Sequence, residues 1–261
     1  MENFKFHNPT KVIFGKHTIS QIGEELSLAG ITRVLLLLGS GSVRKNGVYD
    51  EVISSLMLNE IEWIECWGVQ PNPVLSHANE ALDIVRNNDL HAVLAVGGGS
   101  VIDEAKAICA GVYSTSIWDI YEGKEKVQSA LPLFTILTLS ATGSEMNSYS
   151  VLTNETDKKK WAMGSPHLYP KVSIIDPRIQ MTLPWRQTVN GGVDAISHVM
   201  ENYFGGVDEE STLSINEALI KTVIKSVDAL QINEQDYKGR ANLAWAASLA
   251  LSGLTSCSMR G

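Results

Sequence analysis

The sequence predicts an α/β unit followed by an all-helical one, and three observations carry that expectation. Strand-like and helix-like segments alternate from residue 10 to residue 176. Two aliphatic runs, 34–38 and 92–96, are apolar at every position and run straight into glycines, as strands covered on both faces do. Beyond Pro184, periodic helix-like stretches succeed one another with no strand signal between them. Such alternation implies right-handed crossovers and a parallel sheet with helices on both faces. The change of character at 177–185 sets the boundary, giving an α/β domain at 1–180 and a helical domain at 181–261.

In chain order, 10–14 reads as a short strand, 19–28 as a helix, 34–38 as a buried strand, 46–58 as a helix and 61–66 as a strand. Asn72-Pro73 makes a turn, and 75–87 reads as a helix with Ala78, Leu82 and Val85 along one stripe. A strand at 92–96 leads into a helix at 101–111, and 133–139 and 172–175 are further strands. Polar, turn-like 153–160 suits a hairpin, and Asp176-Pro177 stops the last strand. Helices are expected at 193–203, 211–230 and 240–254. Only Gly253 and Gly261 punctuate the end, so 258–261 reads as the edge of an interrupted helical domain.

Composition narrows the function. A chain of 261 residues with 44% hydrophobic and 19% charged residues is an ordinary globular one. Acidic residues outnumber basic ones, 29 to 21, so there is no basic surplus to neutralise nucleic-acid phosphates. Cys66, Cys109 and Cys257 are widely spaced and form no C-x-x-C pair, which points away from a disulfide framework and toward a reduced, cytoplasmic setting. No signal pattern opens the sequence, and no apolar run is long enough to span a membrane.

Chemistry concentrates at four places. Gly97-Gly98-Gly99-Ser100 lies between a strand and a helix, where glycines admit a diphosphate to the backbone and helix amides point at it. Ser100 is placed as the N-cap and Asp103 as its capping-box acid; the plainer reading is a tight turn. Gly39-Ser40-Gly41-Ser42 is a rival cradle, but Arg44 stands where a dinucleotide fingerprint has its third glycine. Neutral Ser40, with Arg44 nearby, leaves room for the 2′-phosphate of NADP. The hydroxyl-rich stretch from Thr138 to Glu145 either lines a crevice at a strand end or is a simple Ser/Thr loop. In Gly191-Gly192-Val193-Asp194-Ala195-Ile196-Ser197-His198, a carboxylate and an imidazole four positions apart share a helix face. They form either a metal grip or a local hydrogen-bonded pair. The run Lys158-Lys159-Lys160 reads on its own as a solvated loop.

The stretch from Gly191 to Glu201 resembles the metal motif of the iron-containing alcohol dehydrogenase family. Gly97 to Asp103 matches that family's diphosphate loop. The opening from Asn8 to Gly15, Asn72-Pro73, and Ala141-Thr142-Gly143-Ser144-Glu145 are similar to its other motifs, in the same order. The resemblance is strongest toward its butanol dehydrogenase and broad-specificity aldehyde reductase branch.

This likeness implies a Rossmann-like N-terminal domain, an all-α C-terminal domain (incomplete here), and a cleft between them, a dehydroquinate synthase-like architecture. It implies cofactor contacts at Gly39, Ser40, Asn72, Gly97, Gly98, Ser100, Thr138, Thr142, Ser144, Asn147, Val151 and Lys160. It also implies two metal ligands, Asp194 and His198. The family holds its ion with one aspartate and three histidines, and no histidine follows His198. The implied activity is metal-dependent hydride transfer between NADP(H) or NAD(H) and a small primary alcohol or aldehyde, with Fe2+ or Zn2+ as Lewis acid and no dedicated side-chain base. A homodimer through the N-terminal strand is implied as well. The rival expectations are a polyol (glycerol-type) dehydrogenase of the same fold and a non-catalytic nucleotide-binding fragment.

Overall fold

The structure is a computed structural model that describes residues 3–206 and 209–257; the expectation placed on 258–261 lies outside the described residues. Its first half is built on a six-stranded sheet in which every pairing is parallel. The strands are β1 (Lys11–Phe14), β2 (Arg33–Leu38), β3 (Glu62–Trp67), β4 (Ala92–Gly97), β5 (Leu133–Leu137) and β8 (Val172–Ile175), in the order β1-β8-β5-β4-β2-β3. Strands β6 (Tyr149–Asn154) and β7 (Lys159–Gly164) form a separate antiparallel hairpin, longer than the 153–160 turn anticipated.

Two-residue periodicity divides the core. Leu35 and Leu37 of β2, with Val93 and Ala95 of β4, face α4 (Leu75–Asn87), α5 (Gly99–Gly111) and α6 (Ile117–Tyr121). Val34, Leu36 and Leu38, with Ala92, Leu94 and Val96, face α1 (Ile22–Leu28) and α3 (Val48–Leu58) on the other side. The chain therefore leaves β2 for one face, through the single turn α2 (Ser42–Lys45) and then α3, and leaves neighbouring β4 for the opposite face through α5. Loops that part in this way open a crevice at the carboxyl ends of the two strands, where open α/β sheets bind ligands.

The helical half comprises α7 (Trp185–Phe204), α8 (Glu210–Ile232) and α9 (Tyr237–Ala250), packed around Ala195, Val199, Leu219, Val223, Leu230, Leu243 and Ala247. It is fastened to the first half through 140–146. Ser248 Oγ donates to Glu145 Oε1 at 2.5 Å across a sequence distance of 103. Asn8 Nδ2 donates to both Met146 O at 2.7 Å and Ser252 O at 3.0 Å, tying the opening segment to each half.

Several sequence expectations need correction. Residues 19–28 begin as a 3₁₀ turn over Thr18–Gln21 before α1 starts at Ile22. The helix expected at 46–58 breaks at Asn46 and Gly47, where Gly47 has φ 79° and the Asn46 side chain accepts from the Val48 amide. The strand expected at 133–139 ends at Leu137, and the helix expected through 254 ends at Ala250, before Gly253 at φ 90°. Helix α6 was not foreseen. Ser100 is not an N-cap: α5 starts at Gly99, Gly98 holds the cap position, and no side chain caps the helix. Helix α7 starts at Trp185, not 193, because Gly191 and Gly192 lie inside it. Their role is close approach. A Cβ on Gly191 would sit 2.4 Å from Ser140 O, and one on Gly192 would sit 3.0 Å from Val227 Cγ2.

Gly191→Ala is therefore expected to push α7 away from 140–141 and to destabilise the fold by about 1–3 kcal/mol. Thermal denaturation checks this, and an unchanged midpoint would show that the contact yields freely.

Candidate functional site

The three glycines after β4 do different things. A Cβ on Gly97 would lie 2.3 Å from Val101 Cγ2, and one on Gly99 would lie 2.4 Å from Thr142 Oγ1, so both are required by internal packing. A Cβ on Gly98 would meet only Leu139, its Cβ at an ordinary 3.4 Å and its carbonyl oxygen at 3.8 Å. The fold thus tolerates a side chain at Gly98. Just beyond it, the uncapped amino end of α5 offers amides to an anion.

A cleft of about 330 Å³ runs from this point to the helical half. It gathers Asn72, Ser100, Thr142, Ser144, Asn147, Val151, Lys160, Asp194 and His198 from seven separate parts of the sequence expectation into one wall-to-wall space. Gly39, Ser40, Gly97, Gly98 and Thr138 do not line it; they lie at the carboxyl ends of β2, β4 and β5, along the same sheet edge. The Thr138 amide donates to Gly97 O at 3.0 Å, joining two of these ends. Pro73, Asp103, Tyr149 and Leu251 also line the cleft without having been read as site residues.

Asp103 does something other than capping. Its Oδ1 accepts from Ser144 Oγ at 2.6 Å and its Oδ2 from the Val151 amide at 3.1 Å, pinning β6 and the 142–147 loop to α5. Burial raises its carboxyl above the ordinary range, against the pull of Lys106 and these hydrogen bonds. Sequence reasoning also missed Lys106. It is 0% exposed and donates from Nζ to Ser144 O (2.7 Å), Ser144 Oγ (2.8 Å), Asn147 Oδ1 (3.0 Å) and Tyr149 O (2.7 Å). Burial pushes its ammonium down to about 8, opposed by Asp103 and Glu145. One signal could have revealed both residues: 103, 104 and 106 carry charges in a helix with no polar face to put them on.

The basic run splits. Lys158 sits in the hairpin turn at φ 54°, Lys159 pairs with Glu122 at 3.8 Å, and Lys160 reaches into the cleft, donating to Asn72 Oδ1 at 2.7 Å. Lys160 is solvated as expected, but it stands on β7 at the cleft rather than in a loop. Ser40 is exposed, and Arg44 stacks over Trp67 at 4.1 Å and faces Glu65 at 3.4 Å, so its charge is partly engaged. On α7, Asp194 Oδ2 and His198 Nε2 stand 3.6 Å apart at the cleft, and the Asp194 carboxylate beside it raises the His198 imidazole above its usual range. Among the described residues no group of three or more His, Cys, Asp or Glu is placed to hold a metal ion.

Comparison with known proteins places the chain in a family. Residues 9–177 match the family described as iron-containing alcohol dehydrogenase, and 188–260 match the C-terminal region of the Fe-containing alcohol dehydrogenase family. The chain is 43% identical over 258 residues to NADH-dependent butanol dehydrogenase A of Clostridium acetobutylicum, covering 98% of this chain and 66% of that protein. It is 38% identical over 259 residues to the NADPH-dependent aldehyde reductase YqhD of Escherichia coli, covering 97% and 66%. The crystal structure of NADH-dependent butanol dehydrogenase A from Thermotoga maritima superposes with a TM-score of 0.98 at 53% identity, over 100% of this chain and 66% of that one. The chain thus spans just under two thirds of the length of these relatives.

Lys106→Met is expected to leave four acceptors without their donor beside two buried carboxyls, costing about 3 kcal/mol or more. Chemical denaturation measures the loss, and wild-type stability in this variant would mean that the 144–149 loop holds its shape unaided.

Proposed function

This chain belongs to the iron-containing alcohol dehydrogenase family, and we propose on that premise that it carries the chemistry of an NAD(P)H-dependent alcohol dehydrogenase or aldehyde reductase for small primary alcohols and aldehydes. One observation supports the reading above all. The phosphate-cradle side, 1–180 in our division, and the Asp194–His198 pair of 181–261 open onto the same cleft.

The residues present fit a dinucleotide. Gly98 leaves backbone room that a Cβ would fill, α5 presents an uncapped amino end, and Ser100, Thr142, Ser144 and Asn147 supply polar contacts beyond it. Asn72 holds the Lys160 ammonium, which would contact the nicotinamide ribose, and Asp103 holds the Val151 backbone at the cleft wall. Asp194 and His198 suit a divalent ion, one oxygen and one imidazole nitrogen, and would form part of a ligand set that catalytic sites usually bring to about three protein groups. When bound, the ion would supply Lewis acidity toward the substrate oxygen and the nicotinamide would supply or take the hydride. Pro73, Val151 and Leu251 give the cleft apolar wall between these polar ends. Ser40 sets no negative charge against a 2′-phosphate and Arg44 is shared with Glu65, which supports use of both NADH and NADPH.

Two further proposals concern the setting. β1 is an edge strand with Phe14 37% exposed, which supports a homodimer through that edge. The three cysteines are free thiols and no described helix is long and apolar enough to cross a membrane, in keeping with a cytoplasmic site of action.

Gly98→Ala is expected to fold normally but to weaken dinucleotide binding about tenfold, or roughly 1.4 kcal/mol. Fluorescence titration reads this out, and unchanged affinity would move the cradle elsewhere. The 261-residue chain is expected to hold divalent metal weakly, and less still after Asp194→Ala or His198→Ala. Elemental analysis beside alcohol oxidation rates decides this. A tightly held stoichiometric ion with full turnover would mean that the ligand set has been misread, and dinucleotide binding without metal or turnover would favour a purely nucleotide-binding role.

A further inference from the structure

The side of the cleft that carries Asn72 and Pro73 is a loop with few supports of its own. The chain leaves β3 at Trp67, turns at Gly68 with φ 108°, and runs over the carboxyl edge to α4, which starts at Leu75. Its outer flank is tied to the β6–β7 hairpin: the Thr153 amide donates to Pro73 O at 2.9 Å, Lys160 donates to Asn72, and the Ser76 amide donates to Glu155 Oε2 at 3.4 Å. Its inner flank is tied at the start by the Gly68 and Val69 amides, which both donate to Leu38 O at 3.2 Å, and at the far end by one side chain. His77, in the first turn of α4, places Nδ1 at 2.5 Å from Glu104 Oε1 and Nε2 at 2.9 Å from the Trp67 carbonyl. Both ring nitrogens face acceptors, so satisfying them takes the two-donor imidazolium.

Glu104 belongs to α5, one turn beyond Ser100, and its side chain is 0% exposed. Its Oε2 has no partner, which leaves His77 as the one hydrogen-bond partner of this carboxylate among the described residues. A Cβ on Gly68 would come within 3.4 Å of His77 Nε2, so the loop also packs directly on the ring. Helices α4 and α5 are thereby joined by a charge pair, buried at Glu104 and half-buried at His77, of which neither member is used in the chemistry proposed above.

We propose that His77 and Glu104 are positioning residues for the dinucleotide: their ion pair fastens the 68–74 wall to the helix whose amino end forms the diphosphate cradle. This rests on the reading of the cleft as a dinucleotide site. The pair is also sensitive to pH. Burial pushes the Glu104 carboxyl up to about 7. Burial works against the His77 imidazolium, but the Glu104 hydrogen bond, the Trp67 carbonyl and the charges of Glu104 and Glu80 outweigh it and raise that group above its usual range. The other titratable neighbour, Cys66 on β3, lies 3.9 Å from Nε2 and stays a neutral thiol, pushed up to about 11 by burial. The ion pair needs Glu104 ionised and His77 protonated, so it is complete around neutral pH, weakens at lower pH as Glu104 takes up a proton, and is lost at higher pH as His77 gives its proton up. Its loss leaves a buried carboxylate with no counter-charge.

The test is NADH affinity of the chain, followed by fluorescence from roughly pH 6 to pH 9, with the His77 imidazole nitrogen shifts recorded by NMR over the same range. Wild type is expected to bind best near neutral pH and more weakly as pH rises beyond it, with the midpoint of that fall matching deprotonation of His77. Glu104→Gln and His77→Gln are expected to bind roughly tenfold more weakly at neutral pH and to show a flat profile. A flat wild-type profile, or a midpoint that departs from that of His77, overturns the proposal even if neither variant folds. Variants that keep both the wild-type affinity and its slope overturn it too. No NADH binding by wild type at any pH would instead overturn the dinucleotide reading, and this proposal with it.

Discussion

A buried ammonium organises this molecule. Lys106 has lost all its water, and a charge in that position persists only where protein groups replace the hydration. The replacements come from 144–149, two main-chain carbonyls and two side-chain oxygens wrapped around one Nζ. That wrapping fixes Ser144, Asn147 and Tyr149, which form one side of the cleft. It also presents Glu145 to Ser248, and so extends the order of the first half into the second. The same residues thus set the shape of the cleft and the join between the halves.

Missing side chains matter as much as charged ones. Gly97 and Gly99 let α5 and the 142 loop close on each other, and Gly191 lets α7 meet the Ser140 carbonyl. Asp194 and His198 follow that contact on the same helix, so the approach at Gly191 determines where their donor atoms lie. Gly98 differs because nothing within the fold requires it. Its neighbours would accept a side chain there, and the proposed diphosphate is what gives the missing Cβ a use.

Much of this was legible in the sequence. The strands at 34–38 and 92–96 could be read because an uninterrupted aliphatic run has few other uses, and 75–87 because its stripe repeats at helical spacing. The Asp194–His198 pair could be read because both residues lie on one helix, where spacing alone fixes proximity. What failed was what depends on partners far along the chain. Gly191 and Gly192 look like helix breakers until Ser140 and Val227 are seen against them. Ser100 and Asp103 look like a capping box until Ser144 and Val151 are found to claim the carboxylate. Lys106 and the His77–Glu104 pair gave no periodic signal, because a buried polar group is justified by three-dimensional neighbours rather than by spacing.

The amide of Asn8 grips two carbonyls, at Met146 and at Ser252, that are separated from it by 138 and 244 residues. β1, a few residues on, pairs only with β8, which ends at Ile175. On a ribosome the opening segment therefore emerges first and docks late. Its strand has no partner until 172–175 has been made, and its asparagine is not fully engaged until residue 252 has left the exit tunnel. During synthesis at about 5–20 residues per second, that segment waits on the order of ten seconds or more as an apolar stretch without its sheet. The exposed Phe4, Phe6 and Phe14 are thus on offer to chaperones, and to neighbouring nascent chains, throughout that wait.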